Sequence, residues 1–264
     1  MTRIQDAHIL LTGGAGGLGR ELALRMARLG GRITIWDIAD PAKIHKDMAS
    51  SGVSCRAVQV DLADKEQIRQ AAATTLQTAP VDILINNAGI VSAKPFSNLT
   101  DKAMEATMAV NFMAIVWTLK AILPHMQARD QGHIVTIASA AGLIGAHKLS
   151  LYCASKSAAF GFNEALRMEL RQTSKTIKTL IVCPYYFNTS MFAGVNTRYP
   201  LLLPILHVDK VAARIIRAIR KNKKQLIMPF LVRLLPLFRL FPPGFLDFWA
   251  DALGINQGLR HMHE

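Results

Sequence analysis

Seven short apolar runs, spaced by helix-length stretches, leave few architectures open to this chain. They fall at Ala7–Leu11, Arg32–Trp36, Ala57–Val60, Val81–Ile85, Ile134–Ile137, Thr179–Cys183 and Gln225–Met228. Most are rich in β-branched residues, which reads as buried strand. Longer segments with helical character lie between them, at Arg20–Leu29, Lys65–Leu76, Lys102–Met126, Tyr152–Arg171 and Val211–Arg220. Alternation of this kind predicts right-handed βαβ units and an α/β fold built on a doubly wound parallel sheet, helices on both faces. With 264 residues, 51% of them hydrophobic, the chain can bury one sizeable core, and no repeat or linker divides it.

Open α/β sheets place their ligands at the carboxyl ends of the strands, and the unusual residues of this chain collect there. The first run ends in Thr12-Gly13-Gly14-Ala15-Gly16-Gly17-Leu18-Gly19 and passes straight into a helix. Glycines in that position let the backbone turn tightly and approach a pyrophosphate, which then rests on the free amides of the helix N-terminus. A glycine-rich turn alone is often only a tight connection. The second run ends in Asp37, about 20 residues on, where a carboxylate hydrogen-bonds an adenosine ribose diol; a turn cap is the plainer role for such an aspartate. Asp37 would repel a 2′-phosphate, and neither Ala15-Gly16 nor Ile38 offers a basic group to receive one, so NAD is expected over NADP.

Ser139 follows the fifth run, and Tyr152 and Lys156 stand four residues apart in a helical segment. That spacing puts both side chains on one helix face, about 6 Å apart. An ammonium so placed favours the phenolate, drawing the tyrosine from about 10 towards the range of a general base, while Ser139 hydrogen-bonds the same substrate oxygen. A lone tyrosine–lysine pair at this spacing also fits two snorkelling surface side chains; the glycine loop upstream favours the chemical reading.

Taken together, TGGAGGLG, Asp37, Asp61-Leu62, the NNAG of Asn86–Gly89, Asn111, Ser139 and the YCASK of Tyr152–Lys156 resemble the short-chain dehydrogenase/reductase family in order and spacing. The resemblance covers roughly residues 5–230. Narrower features, Trp36-Asp37-Ile38 and IVTIASAAG with YCASK, look like its retinol dehydrogenase and 17β-hydroxysteroid dehydrogenase subgroup. It implies a Rossmann fold and an NAD-dependent oxidoreductase that interconverts a hydroxyl and a carbonyl on a lipophilic alcohol, ketone or aldehyde, such as a retinoid, steroid or long-chain alcohol. By the same resemblance Tyr152 is the general acid/base, Lys156 tunes it and holds the nicotinamide ribose, Ser139 orients the substrate oxygen, and Asn111 offers a backbone carbonyl to a water relay. Gly13, Gly17, Leu18, Gly19, Asp37, Asp61, Leu62, Asn87, Ala88, Gly89, Pro184 and Thr189 would line the cofactor. Simpler roles exist for Asn111 (a helix-packing amide), Asp61 (a helix cap) and Thr189 (a turn hydroxyl). One departure stands out: Pro184 is followed by Tyr185-Tyr186-Phe187 where the family usually has glycine. A non-catalytic NAD(H)-binding sensor or membrane scaffold on the same fold is the alternative, and the intact Ser139, Tyr152 and Lys156 argue against it.

The catalytic domain is expected over 1–229, with a substrate lid at about 185–208 and a tail over 230–264. Tyr185, Tyr186, Phe187, Met191, Phe192, Tyr199 and Leu201–Leu203 make that lid apolar, suiting a lipid substrate or plain packing. The stretch Leu226–Ala250, which leads into the tail, is apolar but broken by Pro229, Pro236, Pro242 and Pro243 and carries Arg233 and Arg239, which argues against a spanning helix. Residues 201–264 hold ten Lys/Arg against four Asp/Glu within a total charge of +13. A basic cluster from Arg214 to Lys224 followed by short apolar pieces predicts peripheral contact with an anionic membrane; the same segment would also serve to close the pocket or pack on a partner subunit. Nucleic acid is not expected, since no aromatic–basic interleaving accompanies the charge. Three cysteines without metal spacing and no secretory leader predict a cytoplasmic, reducing compartment, and eight histidines without ligand spacing predict no metal. Apolar residues around more than one face of the 102–126 and 152–171 helices predict a homodimer or homotetramer.

Overall fold

A computed structural model describes residues 1–188, 191, 197, 199, 200, 203–238 and 240–252. Its seven strands are β1 (His8–Thr12), β2 (Arg32–Asp37), β3 (Arg56–Gln59), β4 (Ile83–Asn86), β5 (His133–Ile137), β6 (Lys178–Pro184) and β7 (Gln225–Met228). They form one parallel sheet in the order β3-β2-β1-β4-β5-β6-β7. The chain winds outward from β1 to one edge, then crosses back past it to β4. That reversal between β1 and β4 is the switch point, where a crevice opens at the strand ends.

Register sorts the core into two layers. Leu11, Ile85 and Val135 lie abreast and face one side, while Leu10, Leu84 and Ile134 lie abreast and face the other. Because side chains alternate along a strand, a continuously apolar run must be covered on both faces. Helices α1 (Gly17–Arg28) and α7 (Val208–Arg220) cover the first, through Leu22, Met26, Ile215 and Ile219. On the second pack α3 (Lys65–Thr78), α5 (Ala114–Ala128) and α6 (Ser150–Thr173), through Ile68, Leu119, Ile122 and Leu166. Helix α2 (Pro41–Ser50) was not expected from the pattern; Asp40 caps it, Pro41 starts it, and it buries only Ile44 and Met48.

The helix expected over 102–126 is not continuous. It runs as α4 (Asp101–Met108), a π-helical turn over Ala109–Met113, and α5. Asn111 sits inside that turn, fully buried. The whole Asp101–Ala128 rod is long and apolar enough to cross a membrane by length and composition, yet here it lies against the sheet. Beyond β7 the tail breaks into a 3₁₀ turn (Phe230–Leu234), α8 (Leu235–Phe238) and α9 (Pro243–Ala252). Val232 is buried with Tyr185 and Leu203, whereas Phe230, Leu237, Leu240, Phe241, Phe248 and Trp249 remain exposed.

Candidate active site

The glycine loop is shaped by contacts that leave no room for side chains. Gly13 has φ +67°, and a Cβ there would stand 2.7 Å from Ala88 Cα; one on Gly19 would stand 2.0 Å from the Gly13 carbonyl oxygen. A Cβ on Gly16, by contrast, would meet nothing within 4 Å. Helix α1 thus begins with no side-chain cap and its first turn carries no acidic residue, so its free amides face open space. That is the cradle an anionic pyrophosphate requires.

Polar side chains lash this loop to β4. The Thr12 hydroxyl accepts from the amides of Asn87 (3.0 Å) and Ala88 (3.2 Å). Asn87 Nδ2 donates to the carbonyls of Thr12 and Gly13. Asp37 Oδ2 accepts from the Ala15 amide at 2.8 Å and Oδ1 from Ala39 at 3.1 Å. Its carboxylate is therefore pinned over the loop and still borders the open cleft. Asp61 borders it too, and its Oδ1 accepts from the Ala63 amide in a local turn; the helix cap foreseen for it is Asp64 instead, which accepts from the Glu66 and Gln67 amides.

The cleft is a cavity of about 340 Å³. Gly13, Gly17, Leu18, Gly19, Asp37, Asp61, Leu62, Asn87, Ala88, Gly89, Ser139, Tyr152, Lys156 and Pro184 all line it, and Val110, Tyr185, Tyr186, Phe187 and Met191 form its apolar end. Asn111 lies behind this wall rather than in it, and Thr189, Phe192, Leu201 and Leu202 fall outside the described residues.

At the cleft's floor, between the ends of β5 and β6, the reactive-looking groups converge. Ser139 and Tyr152 are hydrogen-bonded to each other, and Tyr152 is 5% exposed. Lys156 Nζ lies 5.7 Å from the Tyr152 ring centroid and donates to the Ile137 carbonyl at 3.1 Å. Asn111 Oδ1 accepts from the Ile90 amide at 2.7 Å, while its Nδ2 donates to the Ile90 carbonyl and to Ser155 Oγ. This amide is the fully satisfied packing group foreseen as its simpler role, and it clasps the β4 loop to α6. Nothing in the spacing of the sequence singles out Thr12, Ser155 or the Ile90 and Ile137 carbonyls. The first two act through their hydroxyls and the last two through the backbone.

The electrostatics depart from expectation. Burial pushes the Tyr152 phenol up to about 12, against a smaller downward pull from the Ser139 hydrogen bond. Burial also lowers the Lys156 ammonium to about 8. With the lysine turned onto the Ile137 carbonyl, desolvation outweighs charge attraction. The chain by itself thus holds Tyr152 as a neutral proton donor.

Comparison with known proteins gives this cleft its context. The family model described as short chain dehydrogenase matches residues 7–200. Among curated relatives, human "Epidermal retinol dehydrogenase 2" is 44% identical over 94% of this chain and 82% of its own. Rat "Estradiol 17-beta-dehydrogenase 11" is 35% identical over 94% and 84%. Among solved structures, a short chain dehydrogenase/reductase from Burkholderia phymatum in complex with NAD superposes with a TM-score of 0.81 at 22% identity, over 91% of this chain and 95% of that one. At that identity the superposition speaks for the fold.

Proposed function

The chain belongs to the short-chain dehydrogenase/reductase family and is an NAD(P)-dependent oxidoreductase, and from that premise we propose that it interconverts a hydroxyl and a carbonyl on a lipophilic substrate, with NAD as preferred cofactor. The observation that carries this reading is the Ser139–Tyr152 hydrogen bond at the floor of a cleft whose other end is the glycine loop. A nicotinamide dinucleotide, when bound, supplies or accepts the hydride. The α1 amides and the glycine loop would hold its pyrophosphate, Asp37 its adenosine ribose, and Lys156 its nicotinamide ribose. Ser139 would hold the substrate oxygen, and Tyr152 Oη would give that oxygen a proton in reduction or take one in oxidation.

Substrate class follows from the apolar end. Val110, Phe187 and Met191 offer a sugar little to bond, whereas a retinoid, steroid or long-chain alcohol would bury its hydrocarbon against them. The names borne by the relatives agree with this choice. A screen of hydrophobic alcohols and ketones by NADH absorbance tests it; turnover confined to polar sugars would overturn it.

For the cofactor, a 2′-phosphate would meet the pinned Asp37 carboxylate, and the only cation lining the cavity, among the described residues, is Lys156 at the opposite end. The expected kcat/KM ratio of NAD to NADP is at least about tenfold, the value of roughly 1.4 kcal/mol of repulsion. Equal or better kinetics with NADP would sink the assignment.

Two surfaces complete the proposal. The outer side of α5 leaves Val116, Trp117 and Leu123 half-buried, and Phe112 meets Phe162 of α6 edge-on at 6.0 Å. We assign this face to homodimer or homotetramer contact; a monomeric mass by light scattering at micromolar concentration would remove it. The exposed row Phe230, Leu237, Leu240, Phe241 and Phe248, with the exposed Arg214, Arg217 and Arg220 of α7, suits peripheral docking on an anionic bilayer. Arg233 contributes less than its sequence position suggests, because its Nε donates to the Ile227 carbonyl and its guanidinium lies over the Phe230 ring; Arg239 lies outside the described residues. Vesicle flotation with and without residues 230–264 is the test, and equal flotation would clear the tail of any anchoring role.

A further inference from the structure

A second cavity lies at the opposite end of the sheet from the cofactor cleft. It sits between the carboxyl end of α6 and the start of β6, about 20 Å along that strand from Pro184. Its volume is about 140 Å³, room for four or five waters by their share of liquid volume, about 30 Å³ each. Arg167, Arg171, Lys175, Lys178 and Lys224 line it, and no carboxylate does. Among the described residues none of the five is ion-paired. Ser174, also in the lining, donates its hydroxyl to Asp130, which is not itself among the lining residues.

Thr179 supplies the second observation. It lines this cavity on the face of β6 turned towards α6, is 6% exposed, and its hydroxyl has no hydrogen-bond partner. A buried hydroxyl left unpaired costs about 1–3 kcal/mol, and such groups call for an explanation. Like charges gathered around a small cavity repel one another, which adds to the cost. One guest relieves both: a compact anion with several acceptor oxygens. We propose that this cavity is a binding site for a phosphoryl group. Arginines supply planar paired donors, lysines point charges, and Thr179 Oγ a short neutral donor that orients the guest.

Free phosphate, a phosphomonoester and a phospholipid headgroup share this chemistry. Isothermal titration with inorganic phosphate, at constant ionic strength in chloride, is the primary test. Saturable binding is expected in the native protein and in a K43Q/K46Q control, whose altered lysines are exposed on α2. Binding should weaken at least tenfold in R171Q/K178Q. Thr179→Val, which keeps the side-chain shape, should weaken it severalfold without lowering the thermal midpoint. Undiminished binding in R171Q/K178Q would place the anion elsewhere, the cofactor cleft included, and overturn the site. Absence of saturable binding in the native protein would also overturn it, reducing the cations to complements of the α6 dipole. Given saturable phosphate binding, flotation on phosphatidylcholine vesicles with and without phosphatidic acid names the source. Retention that depends on Arg171 and Lys178 assigns a lipid headgroup, and retention independent of them assigns a soluble phosphate.

Discussion

Replacing Tyr152 by Phe is expected to reduce turnover of any substrate roughly a thousandfold, within the range for loss of a general acid/base, while NADH binding changes by no more than about twofold. The ring itself packs with Ala93, Leu149 and Cys153, and Phe keeps all of that. What disappears is the one oxygen that Ser139 holds. Ser139→Ala should cost less, because it removes an orienting bond and leaves the proton donor. The raised phenol adds a direction to the test. Carbonyl reduction needs the protonated form and should hold its rate through neutral pH. Alcohol oxidation needs the phenolate and should climb as pH rises above neutral. Initial rates in both directions with tryptophan-quenching titration of NADH would check the pair of claims. Substantial turnover by Y152F would end the mechanism proposed here.

The strands were legible in the sequence because a doubly covered sheet demands unbroken apolar runs, and β-branched residues mark them. The chemistry was legible because this architecture gathers strand ends, so Gly13–Gly19, Asp37, Asn87 and Ser139 had to converge. What spacing could not convey was burial. Four residues of helix place Lys156 beside Tyr152, but whether attraction or desolvation governs the phenol depends on where the ammonium turns, and it turns to the Ile137 carbonyl. The π turn was equally silent: Ala-Val-Asn-Phe-Met reads as ordinary helix, and the extra residue per turn appears only once Asn111 is clasped to Ile90 and Ser155. Helix α2 was missed for the opposite reason. Its start signals are present, but two buried side chains make too narrow an apolar stripe to stand out.

The other large effect concerns stability and lies at the amino ends of the strands, away from the cofactor cleft. His133 opens β5, is 1% exposed, and is held by Thr2 Oγ1 on Nδ1 while Nε2 has no partner. Burial, aided by the Lys178 charge, lowers its pKa from 6.5 to about 4. A folded-state pKa below the ordinary value means that the unfolded chain binds the proton more tightly. The stabilising effect of a neutral His133 is therefore complete above pH 6.5 and is lost as pH falls through the window from 6.5 to about 4. Two and a half pH units correspond to about 3 kcal/mol, since each unit is worth about 1.4 kcal/mol. His8, buried at the head of β1 with its ring bonded to the Ala79 and Pro80 carbonyls and Thr34 Oγ1, is lowered by the same cause and steepens the loss. Urea unfolding midpoints should thus fall steeply between pH 6.5 and 4 in the native chain. His133→Gln removes the titrating group, so its curve should be flatter over that window whatever its stability at neutral pH, retaining only the slope due to His8 and the carboxylates. Parallel curves for the two proteins would mean that His133 takes up its proton without unfolding, and that the Lys178 charge and the closed end of β5 do not exclude it.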